Sequence, residues 1–349
     1  MGLSARAVVA AAAFGIPAAA AAAGVLARDG TPLREPVILQ AHGSVPHAPP
    51  SLEALALDWH VQPLLIGGLV AAVAGWLWIR RRVARLHPGN GVPAVRSAAF
   101  YGGLAAVAVA LMSGIEQYDT TLFSVHMVQH LLLMLVAAPL LVLAAPVTQL
   151  LRAASPEVRQ RRLVPLLHSS VMTAIGHPVV TWLVFTLVVW LTHFSPLFND
   201  ALEDRGIHDL EHGLYLGASV LFWWPAIAAD PARRRVPYPV RVLYVLLQVP
   251  VNSFLGMAIL FADAPLYAHY ATLGEPYGIT ALADQQLAGG LMWLAGDVAF
   301  IGAILLLVAA WMRHEERDAP AAERRADAQR AALSARADDL ARTRAEGRR

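Results

Sequence analysis

The chain has 349 residues, 57% of them hydrophobic and 15% charged, with a mean hydropathy of +0.51. It is too apolar for an ordinary soluble domain and matches a polytopic membrane protein. It contains no Cys, which excludes disulfides, thiolate metal sites, iron–sulfur clusters and thiol redox chemistry. The formal net charge of +2 says little about partners, because in a membrane protein the placement of charge matters more than its sum.

Residues 1–27 carry one Arg, Arg6, and then an almost unbroken Ala-rich apolar run with small residues around Ala21 to Gly24. This reads as a signal peptide or signal anchor that exports the segment after it. Residues 28–58 are rich in Pro, Gly and His, show no helical or strand period, and read as an irregular external segment containing His42 and His47. Residues 59–313 read as a membrane domain of seven spans, at about 61–79, 97–115, 125–147, 178–196, 210–229, 240–262 and 288–312, each near the ~20 residues a helix needs to cross the hydrocarbon core. The expected fold is all-α, a polytopic membrane helix bundle of seven transmembrane helices plus the N-terminal signal or extra helix. Residues 314–349 form a charged, Ala-rich tail with only Leu333 and Leu340 as large apolar groups, too few for a core.

The connections alternate in charge. One set holds Arg80, Arg81, Arg82, Arg85 and Arg96, then Arg152, Arg159, Arg161 and Arg162, then Arg233, Arg234, Arg235 and Arg241, then Arg313 and Arg317. The opposite set holds Glu116 and Asp119, then Asp200, Glu203, Asp204, Asp209 and Glu211, then Asp263, Glu275 and Asp284, with Arg205 among them. The positive-inside rule makes the basic side cytoplasmic, and with it the C-terminus.

With that orientation, His60, His126, His130, His193, His208, His212 and His269 fall at or near the outer ends of spans, whereas His87, His168, His177 and His314 fall inside. A single His there is well explained as an amphipathic ring at the interface. Two His-x3-His pairs on one side ask for more. In His126-Met-Val-Gln-His130 the imidazoles share a helical face with Met134, one turn further on. Imidazole and thioether together suit copper, especially Cu(I), better than hard cations. The second pair, His208 and His212, is accompanied by Asp209 and Glu211, which with Glu116 and Asp119 are placed to hold spare ring N–H groups. His60 on the first span is placed to complete a shell. Deeper in the bundle lie Asn252 and Ser253 in the sixth span and Asp297 in the seventh, an acid that hydrocarbon does not tolerate uncompensated and that is expected to face Asn252. Paired glycines, Gly102 with Gly103, Gly213 with Gly217, and Gly289 with Gly290, read as close-packing positions.

Three stretches also resemble a known family. Val125 to Met134 running into Ala137 to Pro146, His208-Asp-Leu-Glu-His212 followed by Phe222-Trp-Trp-Pro225, and Asp284 to Trp293 resemble the CtaG family of bacterial membrane proteins, over roughly residues 55 to 315. The resemblance implies a seven-helix protein that helps to mature a caa-type cytochrome c oxidase, with oxidase subunits and the lipid bilayer as partners and copper as the metal handled. It does not supply the metal ligands; those named above come from spacing.

Three functions compete: an assembly factor that binds copper and delivers it to the oxidase, a bis-His haem b electron carrier, and a copper transporter. A transporter needs a ladder of ligands through the membrane, and the histidines stop in the outer half. No nucleophile–base–orienter set or nucleotide-binding loop is visible, so the expected role is not enzymatic, and nothing points to nucleic acid.

Overall fold

The computed structural model describes residue 46, residues 48–231 and residues 236–346. The signal segment 1–27, most of the external segment 28–58 with His42 and His47, and Arg233, Arg234 and Arg235 lie outside the described residues. Among those described there are helices and turns and no strand.

In chain order the helices are α1 (Leu52–Leu57), α2 (Pro63–Leu86), α3 (Ala94–Met112), α4 (Gly114–Tyr118) and α5 (Phe123–Leu131); α5 passes through a π turn (Leu132–Ala137) into α6 (Ala138–Leu143). Next come α7 (Pro146–Ala153), a series of short helical pieces between 156 and 175, α8 (Pro178–His193), α9 (Pro196–Glu203), α10 (Arg205–Ile227), α11 (Tyr238–Leu246), α12 (Gln248–Leu260), α13 (Ala268–Thr272) and the long α14 (Ala281–Glu346). Local chemistry sets several starts. Pro occupies the first helical position of α2, α7, α8 and α9, where its missing N–H costs nothing. Ser195 and Asp204 accept from the backbone N–H groups of Leu197 and Ile207 at the starts of α9 and α10.

Among the described residues five segments are long and apolar enough to cross a bilayer: Pro63–Leu86, Ala94–Tyr118, Phe123–Ala153, Tyr238–Leu260 and Ala281–Pro320; the pair α8 and α9, bent by 70° at Phe194–Ser195, makes a sixth if it counts as one span. The remaining expected span, 210–229, overlaps α10, which ends two residues short of it at Ile227. This helix has 23 residues, enough length for a crossing, but Arg205, His208, Asp209, Glu211 and His212 crowd its first two turns and lower its apolar character. Leu64, Leu187, Phe254, Leu294, Leu305 and Leu306 are exposed on the outside of the bundle, the arrangement expected where lipid replaces water.

The apolar core lies between α5, α10, α12 and α14, with Phe123, Phe198, Tyr215, Phe222, Leu255, Ile259, Met292 and Phe300 fully buried. α12 and α14 approach so closely that a Cβ on Gly289 would come within 2.6 Å of the Leu260 backbone nitrogen, and one on Gly256 within 2.8 Å of the Trp293 backbone nitrogen. Gly103 likewise faces Leu141. Gly290, Gly213 and Gly217 have nothing within 4 Å, and Gly102 only an ordinary contact with Leu140. The expected glycine pairs therefore pack through one member at most.

Asp297 is half-buried between α14 and α12, accepting from Asn252 Nδ2 at 3.1 Å and from Ser253 Oγ at 2.7 Å. This polar clasp ties the two helices where a bare carboxylate would face hydrocarbon.

Candidate metal centre

α5 and α10 both begin at one end of the bundle, and each carries its histidines at its fourth and eighth residues: His126 and His130 after Phe123, His208 and His212 after Arg205. The α5 start is fixed from across the bundle. Asp284 of α14 accepts from the backbone N–H groups of Phe123, at 2.5 Å, and Ser124, and from the Ser124 hydroxyl. One acid thus caps the helix and sets the height of His126.

The two pairs face each other. His126 lies 5.3 Å from His208 and 6.4 Å from His212, ring centre to ring centre, and His130 lies 5.9 Å from His212. All four rings are between 0% and 4% exposed, as are Asp119 and Glu211. The ligand atoms sort into two groups of three: His126, His130 and Glu211, and Asp119, His208 and His212, the atoms of each group lying within 4.8 Å of one another.

In the first group the two Nε2 atoms are 3.0 Å apart, and Glu211 Oε2 is 3.6 Å from His126 Nε2 and 3.9 Å from His130 Nε2. The point equidistant from these three atoms in their plane lies about 2 Å from each, the bond length of imidazole nitrogen and carboxylate oxygen to a transition metal. Neither oxygen of Glu211 has a hydrogen-bond partner among the described residues. A buried carboxylate without donors costs several kcal/mol unless a proton or a metal cation compensates it, roughly the penalty for any isolated buried ion. In the second group Asp119 Oδ2 lies 3.6 Å from His208 Nε2.

Gln129, fully buried, organises the neighbourhood. Its amide nitrogen donates to Ala110 O at 3.0 Å and to Glu116 Oε2 at 2.6 Å, so its oxygen is the atom facing His212 Nε2 at 3.0 Å. His212 must then donate from Nε2, which leaves the Nδ1 lone pair as its ligand atom. Glu116 also accepts from Gln62 Nε2 at 2.7 Å, tying the start of α2 to the same chain of bonds. Apolar and aromatic groups close the site: Tyr215 stacks on His130 at 4.1 Å, and Phe198 of α9 lies 5.0 Å from His126. Tyr270 donates to Asp119 O at 2.6 Å and His269 to Thr120 O at 2.8 Å. Burial, and the Glu116 carboxylate beside it, hold the Asp119 carboxyl well above the usual carboxylate range; burial pushes the His269 imidazole below its ordinary value.

The residues singled out from spacing divide clearly. His126, His130, His208, His212, Asp119 and Glu211 come together, with Glu116 bonded through Gln129. His60 and Asp209 are exposed and belong to neither group. Met134 lies in the π turn, where bonding from i to i+5 abandons the i, i+4 register that aligns it with His130. Its side chain packs in the apolar core and its carbonyl accepts from the Trp223 indole at 2.9 Å. Asp297 and Asn252 form their own clasp on α14 and α12. Spacing did not single out Gln129, although its place beside His130 in an apolar span was a usable signal. Nor did it single out His193 beyond an interfacial ring: that residue is 2% exposed, with its ring 6.3 Å from His130 and Nδ1 2.7 Å from the Val189 carbonyl oxygen.

Residues 73–314 match the cytochrome c oxidase caa3 assembly factor family, Caa3_CtaG. Uncharacterized proteins of Mycobacterium bovis and Mycobacterium tuberculosis are each 32% identical over 290 residues, and one of Mycobacterium leprae is 30% identical over 286; each alignment covers 80% of this chain and 43% of the relative. The chain therefore spans under half the length of these relatives. No solved structure matches it.

Proposed function

The chain belongs to the cytochrome c oxidase caa3 assembly factor family, and from that premise we propose that it binds copper, as Cu(I), in its buried histidine cluster and delivers it to oxidase subunits during their assembly. The observation that carries this reading is the triangle of His126 Nε2, His130 Nε2 and Glu211 Oε2, whose centre stands at bonding distance from all three atoms. Copper here is cargo, and the protein's part is to bind it, desolvate it and release it. Imidazole nitrogens favour copper over calcium or magnesium.

In this reading the protein sits in the plasma membrane with seven crossings, α10 being the one whose polar face is turned inward. The basic connections and the tail of α14 are cytoplasmic, and the role is not catalytic. The close packing of the imidazoles, with Phe198 and Tyr215 against them, favours an ion over the haem alternative, since a porphyrin would have to pass between rings whose centres are 5.3 to 6.4 Å apart. The test is metal analysis of the protein purified from copper-supplemented cells, with an absorption spectrum of the same sample. Copper without a Soret band is expected; a Soret band with no copper overturns the proposal.

A further inference from the structure

Six buried donors in two groups of three are more than one Cu(I) ion takes, and the geometry points to a pair of copper ions, one held by His126, His130 and Glu211 and the other by Asp119, His208 and His212. This rests on the copper reading above and goes beyond it in number, ligands and charge. Each group contains two imidazoles and one carboxylate. A monovalent ion in each group would replace the proton of its carboxyl and leave each group neutral, so the second ion adds no net charge to the buried cluster.

The side chains support the division. The Nε2 atoms of His126 and His130 point at each other and at Glu211. His208 Nε2 points instead at Asp119, 3.6 Å away. His212 is turned by the bond from its Nε2 to Gln129, so that its lone pair lies on Nδ1. No residue is shared between the groups, yet the ring centres of His126 and His208 are 5.3 Å apart, so the two ions would be near neighbours. Asp119 lies in the connection between α4 and α5, and Tyr270 of the outer segment grips its backbone carbonyl. The second group is thus the one tied directly to the segment that carries Tyr270.

The experiment is an anaerobic titration of the full-length, detergent-purified chain with Cu(I) against a chromophoric Cu(I) chelator. Two ions per chain are expected for the native protein, one for His208→Asn and one for His130→Asn. X-ray absorption of the loaded native protein, which needs no variant, should show a copper neighbour in the scattering beyond the ligand shell. One ion per chain with no copper neighbour overturns the pair and leaves the copper proposal standing. No bound copper in the native protein overturns both. Two ions of which neither is lost in His208→Asn overturns the assignment of the second group.

Discussion

His126 Nε2 and His130 Nε2 stand 3.0 Å apart on successive turns of one helix, with Glu211 of the facing helix within 3.9 Å of both. Removing either imidazole leaves two donors where three converge. His126→Ala and His130→Ala are each expected to weaken copper binding at their own group at least about tenfold, the low end for loss of a metal-site partner, and to lower copper content and oxidase maturation with it. Insertion into the membrane should be unchanged. His168→Ala, exposed and on the other side of the bundle, should do neither, and equal copper in all three variants would refute the assignment.

Gln129→Leu keeps the bulk of the side chain but removes the acceptor that orients His212 and a donor to Glu116. Copper affinity should fall about 10- to 100-fold, the usual effect of losing a group that orients a ligand. Competition with a Cu(I) chelator measures it; native affinity in this variant would show that the amide does not set the His212 tautomer.

Gly289→Ala and Gly290→Ala make a matched pair. The first places a methyl 2.6 Å from the Leu260 backbone nitrogen, and backbone cannot step aside; the second meets nothing within 4 Å. Thermal unfolding in detergent should show Gly289→Ala destabilised by about 1–3 kcal/mol, the range for overpacking, and Gly290→Ala near native. Equal midpoints would mean that α12 and α14 do not pack through this glycine.

Since the chain has no Cys, single cysteines report topology without background. A cysteine at position 160 should resist an impermeant thiol reagent in intact cells and react once the cells are opened. Labelling from outside would reverse the orientation drawn from the arginines.

His269 gives a pH dependence of stability. Its folded-state pKa lies below the ordinary 6.5, because burial disfavours the charged ring. The unfolded chain therefore takes up the proton first as pH falls, so the stabilisation is full above about 6.5 and is lost progressively below it. The unfolding midpoint should drop between pH 7.5 and pH 5, and by less in His269→Gln. An identical drop in the variant would place the effect elsewhere.

Much of this fold was legible because lipid imposes a strong rule: a crossing helix must be apolar for most of its length, and five spans met it. α10 is less plain because its inward face carries the site. The equal depth of the two histidine pairs could be read from spacing, and so could the Asp297–Asn252 clasp. The choice between Glu211 and Asp209 could not. At 100° per residue these two flank the stripe of His208 and His212 by about 80° on either side, and only the packing of α10 against α5 turns Glu211 inward and leaves Asp209 exposed. Gly289 and Gly290 differ in the same way. The misplacement of Met134 has another cause, since a π turn leaves no mark in composition or period.

The π turn at Leu132–Ala137 carries one residue more than an α-helix needs to join the same two flanks, because its bonds close over i to i+5. It acts as an expansion joint in the chain. Deleting one residue from α10 would rotate everything beyond it by about 100° and scatter its packing. Deleting one of these six should instead leave an ordinary α-helix, with the histidine turns above and Val142 below still facing as they do. Changes of length in this span are therefore tolerated within a single turn, directly beneath the cluster whose geometry tolerates none.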